Sequence, residues 1–229
     1  MIPNLPLYIS ISFILLTVYT VFMFIKSNKL SITTVAISLA WIILISILSY
    51  IGVYHFKEGD SVSRFGLIII PTTVFIMYLL RTKTVYNNRD IRWSTALHIV
   101  RFPIELLLFQ LAIREWLPVE MTYKGWNFDI IPGITAILLV VWMHYKTINR
   151  QLLIGWNIIG VCLVLFVFIN GVLSQEMLYE RYGYAVPNRG IAYFPIILLA
   201  GVIVPVVVYT HISDILLLIK RKTIIESLD

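Results

Sequence analysis

Charge is scarce in this sequence. Asp, Glu, Lys and Arg make up 13 % of the 229 residues, about half of the roughly 25 % carried by a typical soluble domain. So few polar groups could not cover the surface of a water-soluble protein this long. Cysteine is rarer still: Cys162 is the single one, set inside an apolar run. That excludes an intrachain disulfide framework and leaves a small apolar filler as its expected role. No Asn-x-Ser/Thr acceptor, HExxH, GxSxG, phosphate-binding Gly-rich loop or CxxC occurs. Zinc-peptidase, serine-hydrolase, P-loop and dithiol chemistry therefore lack their usual carriers. The four histidines are far apart in sequence, so no metal site and no cofactor is expected. The last apolar run holds no lysine before Lys220 at its edge, which excludes a retinal-type Schiff base.

What is abundant is apolar surface, 59 % of residues with a mean hydropathy of +0.89. A helix needs about 20 apolar residues to cross the hydrocarbon layer. Seven segments approach that length: about 5–25, 30–51, 64–80, 93–113, 130–148, 152–173 and 191–219. The expectation is an all-α, polytopic transmembrane bundle of seven helices forming a single domain over 1–229. Hydrocarbon cannot satisfy bare amides, so each segment should be helical. The third and fifth are short enough for a re-entrant or tilted path to be the alternative. The opening MIPNLPLYISIS has no basic flank of a cleavable leader and reads as part of the first span.

The connections alternate in charge. One set carries Lys26, Lys29, Arg81, Lys83, Arg89, Arg92, Lys146, Arg150, Lys220, Arg221 and Lys222, with Asp90, Glu226 and Asp229 as its acids. The other carries six cations, Lys57, Arg64, Arg114, Lys124, Arg181 and Arg189. These are mixed with Glu58, Asp60, Glu115, Glu120, Asp129, Glu176 and Glu180. The positive-inside rule then predicts an outer N-terminus and a cytoplasmic C-terminus, which an odd number of crossings requires. The net charge of +6 sits at the ends of apolar runs. It points to the lipid bilayer, with anionic lipid at the cytoplasmic edge, and not to nucleic acid.

Polar residues inside the spans mark the candidate site. The fourth span reads WSTALHIVRFPIELLLFQLAIREW, and its His98, Arg101 and Glu105 fall within roughly 60° of one another on a helix. Arg101 and Glu105 lie roughly 12 and 18 Å along the axis from Trp93, near the bilayer centre. A lone charge there costs at least about 2.5–3.5 kcal/mol, so this face is expected to point into the bundle. Arg101 and Glu105, spaced i, i+4, can pair directly, and Pro103 between them tends to kink the helix. Three readings stay open: a packing ion pair, an anion site on Arg101, and proton relay through Glu105 and His98. His211 and Asp214 near the end of the seventh span, Asn157 in the sixth and Tyr193 at the outer start of the seventh are further candidates. Asn127 and Asp129 are expected at the outer mouth of the fifth span, where capping its helix is their simplest role. Pro71, Pro195 and Pro205 are expected to free backbone carbonyls for other partners.

The stretch MTYKGWNFDIIPGITA, with HIVRFPIE before it and WNIIG and YFPIILLAGVIVPVVVYTH after it, resembles a group of small bacterial inner-membrane proteins of unassigned activity. The resemblance covers roughly the C-terminal 130 residues and implies a bacterial plasma-membrane setting. It implies no ligand and no catalytic residue. Three function classes follow from the residues: a protein that binds or transports a small or amphiphilic molecule, an intramembrane enzyme acting on a lipid or isoprenoid, and an accessory subunit whose charged pair fixes packing.

Overall fold

The computed structural model describes residues 2–57, 64–82 and 89–226, with side chains as far as Lys220. Glu58, Asp60, Lys83 and Asp229 of the charge pattern lie outside the described residues, as do the side chains of Arg221, Lys222 and Glu226. Among the described residues the chain is all-α, with seven helices and no strand. They are α1 (Leu7–Ser27), α2 (Ile32–Tyr50), α3 (Gly66–Arg81), α4 (Ile91–Ala112), α5 (Ile130–Tyr145), α6 (Arg150–Leu173) and α7, which opens as a π-turn at Leu199–Ile203 and continues as Val204–Glu226.

Local chemistry places several starts. Ser31 caps α2 by accepting from the Thr34 amide, Asp90 caps α4 by accepting from the Arg92 amide, and Asn149 caps α6 by accepting from the Gln151 amide. Each satisfies an amide that has no partner inside its own helix. Five helices, α1, α2, α4, α6 and α7, are long and apolar enough to cross a membrane. α3 and α5 have 16 residues each, roughly 24 Å at about 1.5 Å per residue, short of the roughly 30 Å hydrocarbon layer. Large apolar side chains such as Leu15, Ile43, Ile70, Leu138 and Ile159 lie exposed around the bundle, a surface suited to lipid and not to water.

Two expected segments change. The fifth does not extend through 148: Lys146 leaves the helix with extended backbone. The seventh is not helical from 191; a 3₁₀ turn at Gly190–Ala192 and further turns precede Leu199. Pro205 has no amide to donate, and the chain accommodates that as a π-turn. The Gly201 carbonyl, the acceptor an amide at 205 would have used, instead accepts from the Trp41 indole at 3.1 Å.

α4 and α7 form the centre, each 61 % buried along its apolar window, whereas α2 is 11 % buried. α6 packs along α7, α1 and α5 pack along α4, and α3 closes on α7. The Tyr19 hydroxyl ties α1 to α4 by donating to the Ala96 carbonyl at 2.6 Å.

Candidate functional site

Halfway along α4 the helix tightens to a 3₁₀ turn over His98–Val100. Pro103, four residues after Ile99, cannot supply the amide that an α-helical Ile99 carbonyl expects. Arg101 follows this turn, 2 % exposed. Its partner is not Glu105. The guanidinium grips the Asp129 carboxylate with two bonds, Nε to Oδ2 at 2.7 Å and Nη2 to Oδ1. Such bidentate, charge-assisted pairing adds geometric specificity as well as energy.

Asp129 is therefore not at an outer mouth, and its side chain makes no capping bond. It precedes α5 and meets Arg101 midway along α4, so α5 begins at the middle of the bundle. Gly133 allows this approach: a Cβ there would lie 2.4 Å from the Phe102 nitrogen. At its other end α5 meets the start of α4, where Arg92 Nη2 donates to the Met143 carbonyl at 2.9 Å. The positive end of the α5 dipole adds to the stabilisation of the Asp129 charge.

Arg101 also donates from Nη2 to the Gly160 carbonyl at 3.1 Å and from Nη1 to His211 Nε2 at 2.8 Å. An arginine only donates, so His211 accepts at Nε2 and carries its proton on Nδ1. That nitrogen donates to Asn157 Oδ1 at 2.8 Å, and Asn157 Nδ2 donates to the Leu153 carbonyl at 2.8 Å. Gly160 is required here, because a Cβ would fall 2.3 Å from His211 Cε1. On the other flank Asn127 Nδ2 donates to Glu105 Oε1 at 2.7 Å and to the Met121 carbonyl at 2.9 Å. Asn127 Oδ1 accepts from the Asp129 amide at 2.8 Å. One chain of bonds thus runs Glu105, Asn127, Asp129, Arg101, His211, Asn157, joining α4, the segment before α5, α6 and α7.

One member of this chain and one residue stacked on it have bonding capacity left. His98, fully buried, stacks on the His211 ring at 3.8 Å and meets Trp156 edge-on at 5.3 Å. Neither of its ring nitrogens has a hydrogen-bond partner among the described residues, and neither does Glu105 Oε2, on a residue 1 % exposed.

The remaining candidates lie elsewhere. Asp214, one turn beyond His211, pairs with Arg89 at 2.8 Å instead of joining the central chain. Arg89 Nη1 also donates to Asn28 Oδ1 at 2.6 Å, and its guanidinium lies 5.3 Å from the Tyr209 ring centre. Arg89 is thus a buried tie between α1 and α7 and not a headgroup cation. Tyr193 stacks on His55 at 3.8 Å and lies edge-on to Trp116 at 5.4 Å, away from the central chain. Sequence reasoning missed Arg89, Asn28, Gly133 and Gly160. Gly160 left a readable trace, three residues after Asn157 on the same buried face of α6.

These features define a helical protein with five membrane-length helices and an ionic network buried at its centre. The chain belongs to the family described as a domain of unknown function, DUF8737, whose model matches residues 61–219. That range holds every member of the central network and leaves α1 and α2 outside. No curated protein and no solved structure matches the chain.

Proposed function

We propose that the chain is a seven-crossing membrane protein of a bacterial inner membrane, N-terminus outside and C-terminus cytoplasmic. In this reading it binds or transports a small or amphiphilic molecule through the Arg101 network. The observation that carries it is the pair of buried ionisable groups with spare capacity, His98 and Glu105, flanking an arginine that is already well bonded. A bridge serving only to pack helices needs Arg101, Asp129 and His211. Burying two further ionisable groups with unmet bonding costs about 1–3 kcal/mol each or more. Ionisable groups kept inside a membrane despite such costs mark ion, proton or substrate paths.

The connectivity supplies the coupling. A proton or ligand donor arriving at Glu105 competes with Asn127, and Asn127 also positions Asp129 through its amide. Loosening Asn127 weakens the Asp129–Arg101 grip and, through Arg101, the hold on α6 and α7. Local chemistry at one carboxylate is thereby linked to the relative placement of three helices, which is what an alternating membrane site needs.

One observation favours a packing role instead. Arg101 places four N–H donors on protein acceptors. The two readings separate in proteoliposomes loaded with a pH-sensitive dye and given an imposed proton gradient. Transport predicts proton flux that E105Q and H98F each abolish while the purified variants keep wild-type helicity and elution. No flux in the wild type, or flux equal in wild type and both folded variants, overturns the proposal.

A further inference from the structure

α2 is barely attached to the rest of the molecule. Only Ile45 and Ser49 of its side chains are buried. Besides the packing of Ile45 against Gly201, its hydrogen bonds to other segments among the described residues are the Trp41 bond to the Gly201 carbonyl and the Ser49 hydroxyl donating to the Ala192 carbonyl at 2.8 Å. Between α2 and a wall made by α1, α3 and α7 lies an apolar slot of about 240 Å³, larger than the roughly 150 Å³ cavity that admits benzene. It runs from Trp41, Pro71 and Gly201 in the middle of the bundle to Phe24, Leu30 and Leu79. There α1 and α3 end and α2 begins.

That end is basic. Lys26, Lys29 and Arg81 stand exposed next to slot residues Ile25, Leu30 and Leu79. No carboxylate pairs with any of the three among the described residues. A hollow beside the same turn is lined by Lys26, Lys29 and Arg92, with Arg89 behind them held by Asp214. Its one acid, Asp90, is occupied by the Arg92 and Trp93 amides.

We propose that the slot holds one acyl chain of an anionic phospholipid, with its phosphate seated on Lys26 and Lys29. The inference rests on the membrane setting proposed above but not on the Arg101 network. An apolar channel ending in cations that no carboxylate pairs among the described residues matches a molecule with a long chain and one anionic head. The occupant completes the packing that α2 lacks. Lipid identity is selected at the head, because the slot itself reads only apolar length.

The test reconstitutes the full chain in vesicles of phosphatidylcholine and phosphatidylglycerol carrying a photoactivatable group on the acyl chain, with no gradient applied, so failure of transport does not affect it. Phosphatidylglycerol should label slot residues of α2 and α3 in preference to phosphatidylcholine at equal concentration. Each lysine near an anionic head contributes about five-fold, so K26Q/K29Q should lower that preference by about 25-fold. V35W, which fills the slot, should abolish labelling by both lipids; the double lysine variant, altered only at exposed positions, serves if V35W does not fold. Equal labelling by the two lipids, a preference unchanged in K26Q/K29Q, or a co-purifying polypeptide seated in the slot overturns the proposal.

Discussion

Replacing Asp129 with alanine strips the Arg101 guanidinium, 2 % exposed in the wild type, of both its anionic contacts. Two bonds then remain, to a neutral imidazole and to a backbone carbonyl. Removing one partner of a buried ion pair costs about 3–5 kcal/mol, since the other charge stays desolvated. The lost interaction with the α5 dipole adds about 0.3–1 kcal/mol. Against a total stability of roughly 5–15 kcal/mol, D129A should remove about a fifth or more. E105Q is the internal comparison. Its amide oxygen can still accept from Asn127, so the loss should be about 1 kcal/mol or less. Denaturant unfolding of both variants in the same detergent, followed by tryptophan fluorescence, gives the order directly. Loss of stability in E105Q equal to or greater than in D129A would refute the assignment of Asp129 as the counter-ion of Arg101.

Two more outcomes follow from the packing. G160A forces a methyl group against the His211 ring, 2.3 Å from Cε1; such overpacking costs about 1–3 kcal/mol, and G155A, where a Cβ meets nothing within 4 Å, should be neutral in the same unfolding assay. In the connection between α6 and α7, burial and the Glu120 charge push the Tyr184 phenol above its ordinary value of 10.0. Its hydroxyl donates to Asn170 at 2.5 Å. A raised value means the folded chain holds its proton longer than the unfolded one, so this contribution is complete below about pH 10 and falls as pH rises through the folded value. Hydrogen exchange at 174–190 should accelerate in the wild type over that alkaline window, and Y184F should lose that tyrosine's share of the pH dependence.

Much of the architecture was legible because long uninterrupted apolar runs favour helices of membrane-crossing length. The expected ends of the first four spans and the sixth fall within two residues of the helices. The seventh start was not legible, because the run from Ile191 stays apolar while its backbone turns. Hydropathy records the solvent, not the dihedral angles. The inward face of α4 was read correctly from periodicity, and His98, Arg101 and Glu105 are all buried. Their partners were not. Spacing along one helix offered Glu105 to Arg101, but bidentate geometry is met by a carboxylate arriving from another segment. That arrival depends on Gly133, whose role is visible only once α5 lies against Phe102. Arg89 was misread for a related reason: a cation near the end of an apolar run reads as interfacial unless Asn28 and Asp214 are known to surround it.

The late start of α5 has a consequence for access. The stretch from Leu117 to Asp129 folds back alongside α4, with Trp126 and Phe128 exposed and Asn127 and Asp129 buried, so the Arg101 network is stoppered on that side by irregular chain. Unstoppering it would not require a long rod to tilt. Lifting a short peptide by one helical pitch would strip Arg101 of its anion and bare the Glu105 carboxyl in the same stroke.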